Sequence, residues 1–151
     1  MRAMINHRED GDHQRAGIDR SIILENSKQI LIDEKVRGRN KKTGLVYKDI
    51  ALEYISDRER EVPGWCCKPL LCDYIAYAIA PLGKCYLLPV QQLQNAWAEY
   101  GNNWIRDYFK IIAHNKGSAR DWHTISVGVP PKVLFKAIGK CLRVQFDPCE
   151  V

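Results

Sequence analysis

A chain of 151 residues, 46% hydrophobic and 27% charged, has the proportions of one globular domain, which excludes a largely disordered protein. The formal net charge of +5 and a pI near 8.9 permit nucleic acid as a partner without requiring it. The polar stretch 1–17 lacks the apolar core of a signal peptide, and the longest apolar run, residues 74–82, is too short for a bilayer, so a soluble cytoplasmic protein with no membrane association is expected.

In chain order, residues 5–16 are polar and predict a short helix or a frayed arm. Branched residues at 18–24 and 28–36 flank "ENS" and predict two strands of a hairpin. The alternation of Val46, Lys48, Ile50, Leu52 and Tyr54 against Tyr47, Asp49, Ala51 and Glu53 predicts a third strand over 44–56. A charged loop, 57–64, ends at Pro63-Gly64. Residues 66–80 read as a short helix leading into a strand or as one buried helix; the Tyr-Ile-Tyr content favours a strand near 73–79. After the Pro81-Leu82-Gly83 turn, "KCYLLPV" supplies its hairpin partner. Leu93, Trp97, Tyr100, Trp104 and Tyr108 recur at helical spacing within 91–109, a core stripe, with a break permitted at Gly101. The tail predicts a strand at 123–129, a helix at 130–140 opened by two prolines, and a strand at 141–146. Together these give a single α/β domain, a central mixed sheet of five to six strands flanked by helices.

The stretch "IDEKVRGRNKK" concentrates charge at a strand end. If residues 25–27 form a three-residue loop, Leu24 pairs with Lys28 and Asp19 falls directly opposite Asp33, since 19 and 33 sum to 52 as 24 and 28 do. Lys35 then shares the face of Asp33, because side chains two apart on a strand point the same way. A two-residue loop would put the two aspartates on opposite faces. Facing carboxylates repel, and a divalent cation between them reverses the sign. Oxygen ligands suit Mg²⁺, or Mn²⁺, which activates water and stabilises charge on a phosphodiester, with a lysine beside it to assist.

"GID" (17–19) followed by "IDEK" (32–35) resembles the PD-(D/E)XK nuclease superfamily, the restriction-endonuclease-like fold, and the run is similar to small phage- and prophage-encoded members. Asp19 matches the first acid, Asp33 the second and Lys35 the lysine; Glu34 is the middle residue, whose main-chain carbonyl often also contacts metal in that family. Gly17-Ile18 stands where the family usually has proline. The resemblance covers about 9–97, leaving 98–151 as a C-terminal extension. It implies a metal-dependent nuclease that cuts DNA by a metal-activated water, with a homodimer as one arrangement for cutting both strands. The alternative is a non-catalytic nucleic-acid- or protein-binding module on the same fold, possibly phage-encoded.

Arg37, Arg39, Lys41 and Lys42 follow the acids immediately and suit phosphate oxygens, in a loop that Gly38, Gly44 and Asn40 leave flexible. Asp49 and Glu53 share a strand face, read first as an exposed edge and second as an extra metal ligand. Glu9, Asp12 and Gln14 are candidates from the first helix, as in some branches of the family. His13 and His114 read as surface residues, and Asp73 as a hydrogen bonder at a strand start. Six cysteines, three of them at 66, 67 and 72, carry no C-x-x-C pair and no histidine at ligand spacing, so free thiols are expected rather than zinc.

Overall fold

The computed structural model describes residues 1–26 and 28–141. Strands β1 (Ala3–Asn6), β2 (Arg20–Ile23), β3 (Gln29–Arg37), β6 (Tyr74–Ile79) and β7 (Lys84–Pro89) form one sheet in the order β1-β2-β3-β6-β7. A second sheet takes β4 (Ile50–Asp57), β5 (Val62–Pro63), β8 (Lys110–Lys116) and β9 (Asp121–Val129) in the order β5-β4-β9-β8. Helices α1 (Gly11–Arg15), α2 (Val90–Asp107) and α3 (Pro131–Cys141) complete the described chain.

The β2–β3 hairpin has the three-residue register: Arg20 faces Ile32 and Ile23 faces Gln29, while the Leu24 N–H donates to the Lys28 carbonyl at 2.9 Å. β3 pairs parallel with β6, and the crossover between them carries β4 and β5. That route decides the fold. Both edges of β3 are taken by β2 and β6, so β4 finds its partner in β9 instead, Leu52 facing Val127. Ile50, Leu52, Val127 and Val129 are then buried against Ile75, Ile79 and Leu88 of the first sheet. Leu93, Ala96 and Trp104 of α2 and Leu134, Ala137 and Ile138 of α3 join the same core. The N–H of Ala51 donates to the Tyr77 hydroxyl at 2.9 Å, tying one sheet to the other.

The expected single sheet of five to six strands is therefore two sheets, of five and four strands. The third strand begins at Ile50 rather than at residue 44. Its apolar alternation extends further back, but Asn40 holds the preceding residues in a turn. The Asn40 side-chain oxygen accepts the N–H groups of Lys42 (2.9 Å) and Thr43 (3.1 Å), and its amide donates to the Tyr47 hydroxyl. Asn40 thus orders the loop it was expected to loosen. β1 and β8 carried no strand signal because each is an outer strand: β1 is exposed at every position and β8 at five of seven.

Helix α2 runs unbroken through Gly101. Glycine there costs up to about 1 kcal/mol relative to alanine. A Cβ at 101 would lie 2.9 Å from the Trp97 ring, so the glycine leaves room for the indole that packs beside Trp104 and Tyr54. The strand expected at 141–146 lies outside the described residues, apart from Cys141, which closes α3.

Candidate active site

The first acid is delivered by a helix stop. After α1 the Ile18 N–H donates to the His13 carbonyl (2.9 Å) and the Gly17 N–H to that of Gln14 (3.0 Å), with Gly17 at φ 72°. This is a Schellman ending, which needs a left-handed residue where glycine stands. Ile18 then packs into the core and Asp19 emerges at the head of β2. The Asp19 N–H bonds the Ile32 carbonyl at 2.8 Å, the carbonyl of the residue that Arg20 faces, and its Oδ2 accepts the Glu34 N–H at 2.8 Å.

Beside Asp19 in the same cleft, Asp33 is only 4% exposed. The Lys35 ammonium reaches both of its oxygens, at 2.9 and 2.7 Å. Burial raises the Asp33 pKa, Lys35 opposes that rise, and the neighbouring Asp19 carboxyl adds to it.

A third acid comes from the other sheet. Glu53 of β4 lines the same cleft, and burial raises its pKa against the pull of Lys35 and Lys68 and a hydrogen bond from the Trp65 main chain. The strand is seated by close backbone packing. The Glu53 carbonyl accepts the N–H (3.2 Å) and the thiol (3.0 Å) of Cys66, and Gly64 lies so near that a Cβ there would stand 2.1 Å from that carbonyl oxygen. A bulge between Glu53 and Ile55 in the β4–β9 pairing falls at this point. Bulges re-aim side chains and recur beside active sites.

The resulting cleft, about 390 Å³, is lined by Gln14, Asp19, Asp33, Lys35, Glu53 and Lys68, with Gly17, Trp65 and Leu70 completing the wall. A second hollow of about 270 Å³ shares Lys35, Glu53 and Trp65 with it and continues past Arg37, Tyr47 and Tyr77. Another hollow, about 760 Å³, lies at the far end of β3 beside Lys28 and Asp73. Asp73 is its single acid and accepts the Leu31 N–H at 2.8 Å, so no acidic constellation forms there.

No family model, curated protein or solved structure matches this chain. The functional reading therefore stands on the geometry of the site.

The Glu34 side chain pairs with Arg8 at 2.6 Å and with Arg20, away from the carboxylates of Asp19 and Asp33, while its main chain adjoins the site through the N–H bonded to Asp19. Arg37, expected at an outward phosphate-gripping edge, is drawn inward. Its side chain is 11% exposed, paired with Asp49 at 3.1 Å and laid over the Tyr47 ring. That pairing also removes Asp49 from the acids of the cleft. Arg39, Lys41 and Lys42 stay exposed.

Of the helix candidates Gln14 lines the cleft, whereas Asp12 pairs with Arg15. Lys68 had no distinguishing signal: it follows the second cysteine of a loop whose course depends on both sheets. Cys66, Cys67, Cys72, Cys85 and Cys141 are free thiols, and Cys66 and Cys67 spend their sulfurs on main-chain carbonyls of Glu53 and Tyr54. Among the described residues, no helix is long and apolar enough to cross a membrane.

Proposed function

We propose that this protein is a metal-dependent nuclease of the restriction-endonuclease-like type, hydrolysing phosphodiester bonds in DNA. The observation that carries this reading is the convergence of Asp19, Asp33, Glu53, Lys35 and Lys68 in one cleft, drawn from both sheets and the loop between them. The order of pairings, β2 antiparallel to β3, β3 parallel to β6 and β6 antiparallel to β7, supports it by placing the acid-x-lysine strand centrally.

The donor set fits a hard divalent cation. Three carboxylates, two of them with pKa values raised by burial, form an oxygen-rich site whose crowded negative charge a cation would relieve. Asp19, Asp33 and Glu53 would hold Mg²⁺ or Mn²⁺, which when bound supplies an activated water and charge neutralisation at phosphorus. The Lys35 ammonium, already held at Asp33, is placed to bond the charge that develops on the non-bridging phosphate oxygens. Lys68 adds a second positive charge on the cleft wall, and Gln14 a neutral hydrogen-bonding group. The hollow continuing past Tyr47 offers part of one aromatic side chain to the neighbouring nucleotide. Arg39, Lys41 and Lys42 provide contacts to the sugar-phosphate backbone.

The test is cleavage of supercoiled plasmid in Mg²⁺ or Mn²⁺. Wild type should nick or linearise it, and Asp33→Ala, Glu53→Ala and Lys35→Ala should each lose roughly a hundredfold or more in rate. Cleavage that survives all three substitutions overturns the assignment. Salt-sensitive DNA binding with no cleavage in any divalent ion would establish a binding module on the same architecture instead.

A further inference from the structure

We infer that His7, Asp10 and His13 form a second cation site, chemically distinct from the carboxylate cleft and suited to a transition metal such as Zn²⁺. One donor atom from each of the three lies within 4.8 Å of the others. Two imidazoles and one carboxylate are the ligands of borderline metals, whereas Mg²⁺ takes oxygen donors. This inference does not rest on the nuclease reading.

Ordinary local structure accounts for part of the cluster but not all of it. Asp10 is the N-cap of α1, with Oδ1 accepting the N–H groups of Asp12 (3.0 Å) and His13 (3.3 Å). Its other oxygen lies 2.8 Å from His13 Nδ1. Helix capping explains the two main-chain contacts, and i,i+3 spacing the contact with the His13 ring. Neither explains His7, which lies outside the helix, just past β1, and stacks its ring on that of His13 with centroids 3.9 Å apart. The His7 ring is held from the core side: Nε2 bonds the hydroxyl of the fully buried Ser21 at 2.8 Å. A buried hydroxyl orienting an imidazole is the kind of supporting contact that metal-binding histidines keep.

The spacings suit the ion. Bonds of about 2.0–2.1 Å in a tetrahedral zinc site separate donor atoms by roughly 3.3 Å. The Asp10–His13 gap of 2.8 Å is close to that edge, so closing the set requires chiefly that the two stacked rings tilt out of their parallel planes, His7 ligating through Nδ1 while its Nε2 keeps Ser21. The chain supplies three donors and leaves a fourth position to water or a further ligand.

The consequence is local. α1 has five residues and no buried side chain, so little apolar packing holds it. An ion joining His7 to Asp10 and His13 would pin this turn, which carries Gln14 into the cleft and ends in the Gly17 stop before Asp19. The His7 N–H also donates to the Asp19 carbonyl at 2.8 Å, so the pinned segment touches the first acid directly.

Zn²⁺ titration of the chelator-stripped full-length protein against a chromophoric competitor, repeated with Co²⁺ for its visible absorption, tests the site. At least one equivalent should bind to wild type, and Asp33→Ala should retain one of the same affinity. His7→Ala and His13→Ala should each weaken it roughly tenfold or more. Unchanged affinity in the His7→Ala/His13→Ala double variant, or no bound equivalent in wild type, overturns the inference. Thiolate-to-cobalt absorption would assign the ion to the cysteines, and its loss in Asp33→Ala would assign it to the cleft; either result also overturns it. Because the readout is binding, an inactive wild-type protein that still holds the ion would separate this site from the nuclease proposal.

Discussion

Asp33 and Glu53 keep carboxyl groups in surroundings that disfavour their charge, and the sign of the effect on stability can be worked out. Both native pKa values lie above their ordinary values of 3.8 and 4.5, with burial the leading cause. Between the ordinary and the raised values the native state holds protons that the unfolded chain has released, so stability falls as pH rises through that window. Denaturant unfolding without divalent ions should show this fall. Asp33→Asn should flatten it, and Mg²⁺ should recover stability at neutral pH. A wild-type profile that instead rises with pH across the window would contradict the assignment of these acids. The basic residues divide in a complementary way. Arg37→Ala strips Asp49 of its partner and should cost about 1–3 kcal/mol in unfolding free energy. The triple change of Arg39, Lys41 and Lys42 to alanine should leave the melting temperature nearly unmoved. It should reduce the salt slope of DNA binding by up to roughly 3, about 0.9 per lost phosphate contact. Arg37 looked no different from its neighbours in sequence, because only the folded course of residues 46–49 brings Tyr47 and Asp49 to it.

At the scale of elements, β4 carries the third acid and Gly64 fixes where it sits. A Cβ at residue 64 would stand 2.1 Å from the Glu53 carbonyl oxygen and 2.8 Å from the Tyr54 carbonyl carbon, both main-chain atoms that cannot swing aside. Gly64→Ala should therefore lower stability by about 1–3 kcal/mol, the range for overpacked interiors. It should also reduce plasmid cleavage at a temperature where the variant is fully folded; thermal melts and cleavage rates on the same preparation check both. The hairpin was legible before the fold. Its register depends on loop length and on the two-residue period of a strand, both local properties, so the chain narrowed the facing of Asp19 and Asp33 to a choice between two loop lengths, and the register adopted is that of the three-residue loop. Glu53 was legible only as one of two acids on a strand face. Which of Asp49 and Glu53 enters the cleft depends on Arg37, which engages the first, and on the bulge that seats the second.

Across the whole molecule, the C-terminal third belongs to the site's foundation. β4 has two neighbours in its sheet, the two-residue β5 and the nine-residue β9, and β9 supplies Val127 and Val129 to the core around Ile50 and Leu52. The division into a core of about 9–97 and an appended tail thus cuts through one sheet. A chain ending at residue 109 should lose β8, β9 and α3, and with them the seat of Glu53. It should show no cooperative thermal transition by circular dichroism, and no cleavage. A sharp transition like that of the full chain would mean that β4 is held without β9.

The sequence by itself determined the strand pair, the shared face of Asp33 and Lys35 and the long amphipathic helix. Each follows from periodicity, turn length or backbone freedom over a few residues. Tertiary structure alone decided that there are two sheets rather than one, that Glu53, Lys68 and Gln14 meet the acid pair, that Arg37 turns inward, and that His7 stacks on His13. These depend on which strand edge is already occupied and on backbones approaching at glycines. Such choices are made between segments distant in the chain, where hydrophobic burial outweighs local preference and leaves no pattern at either end to read.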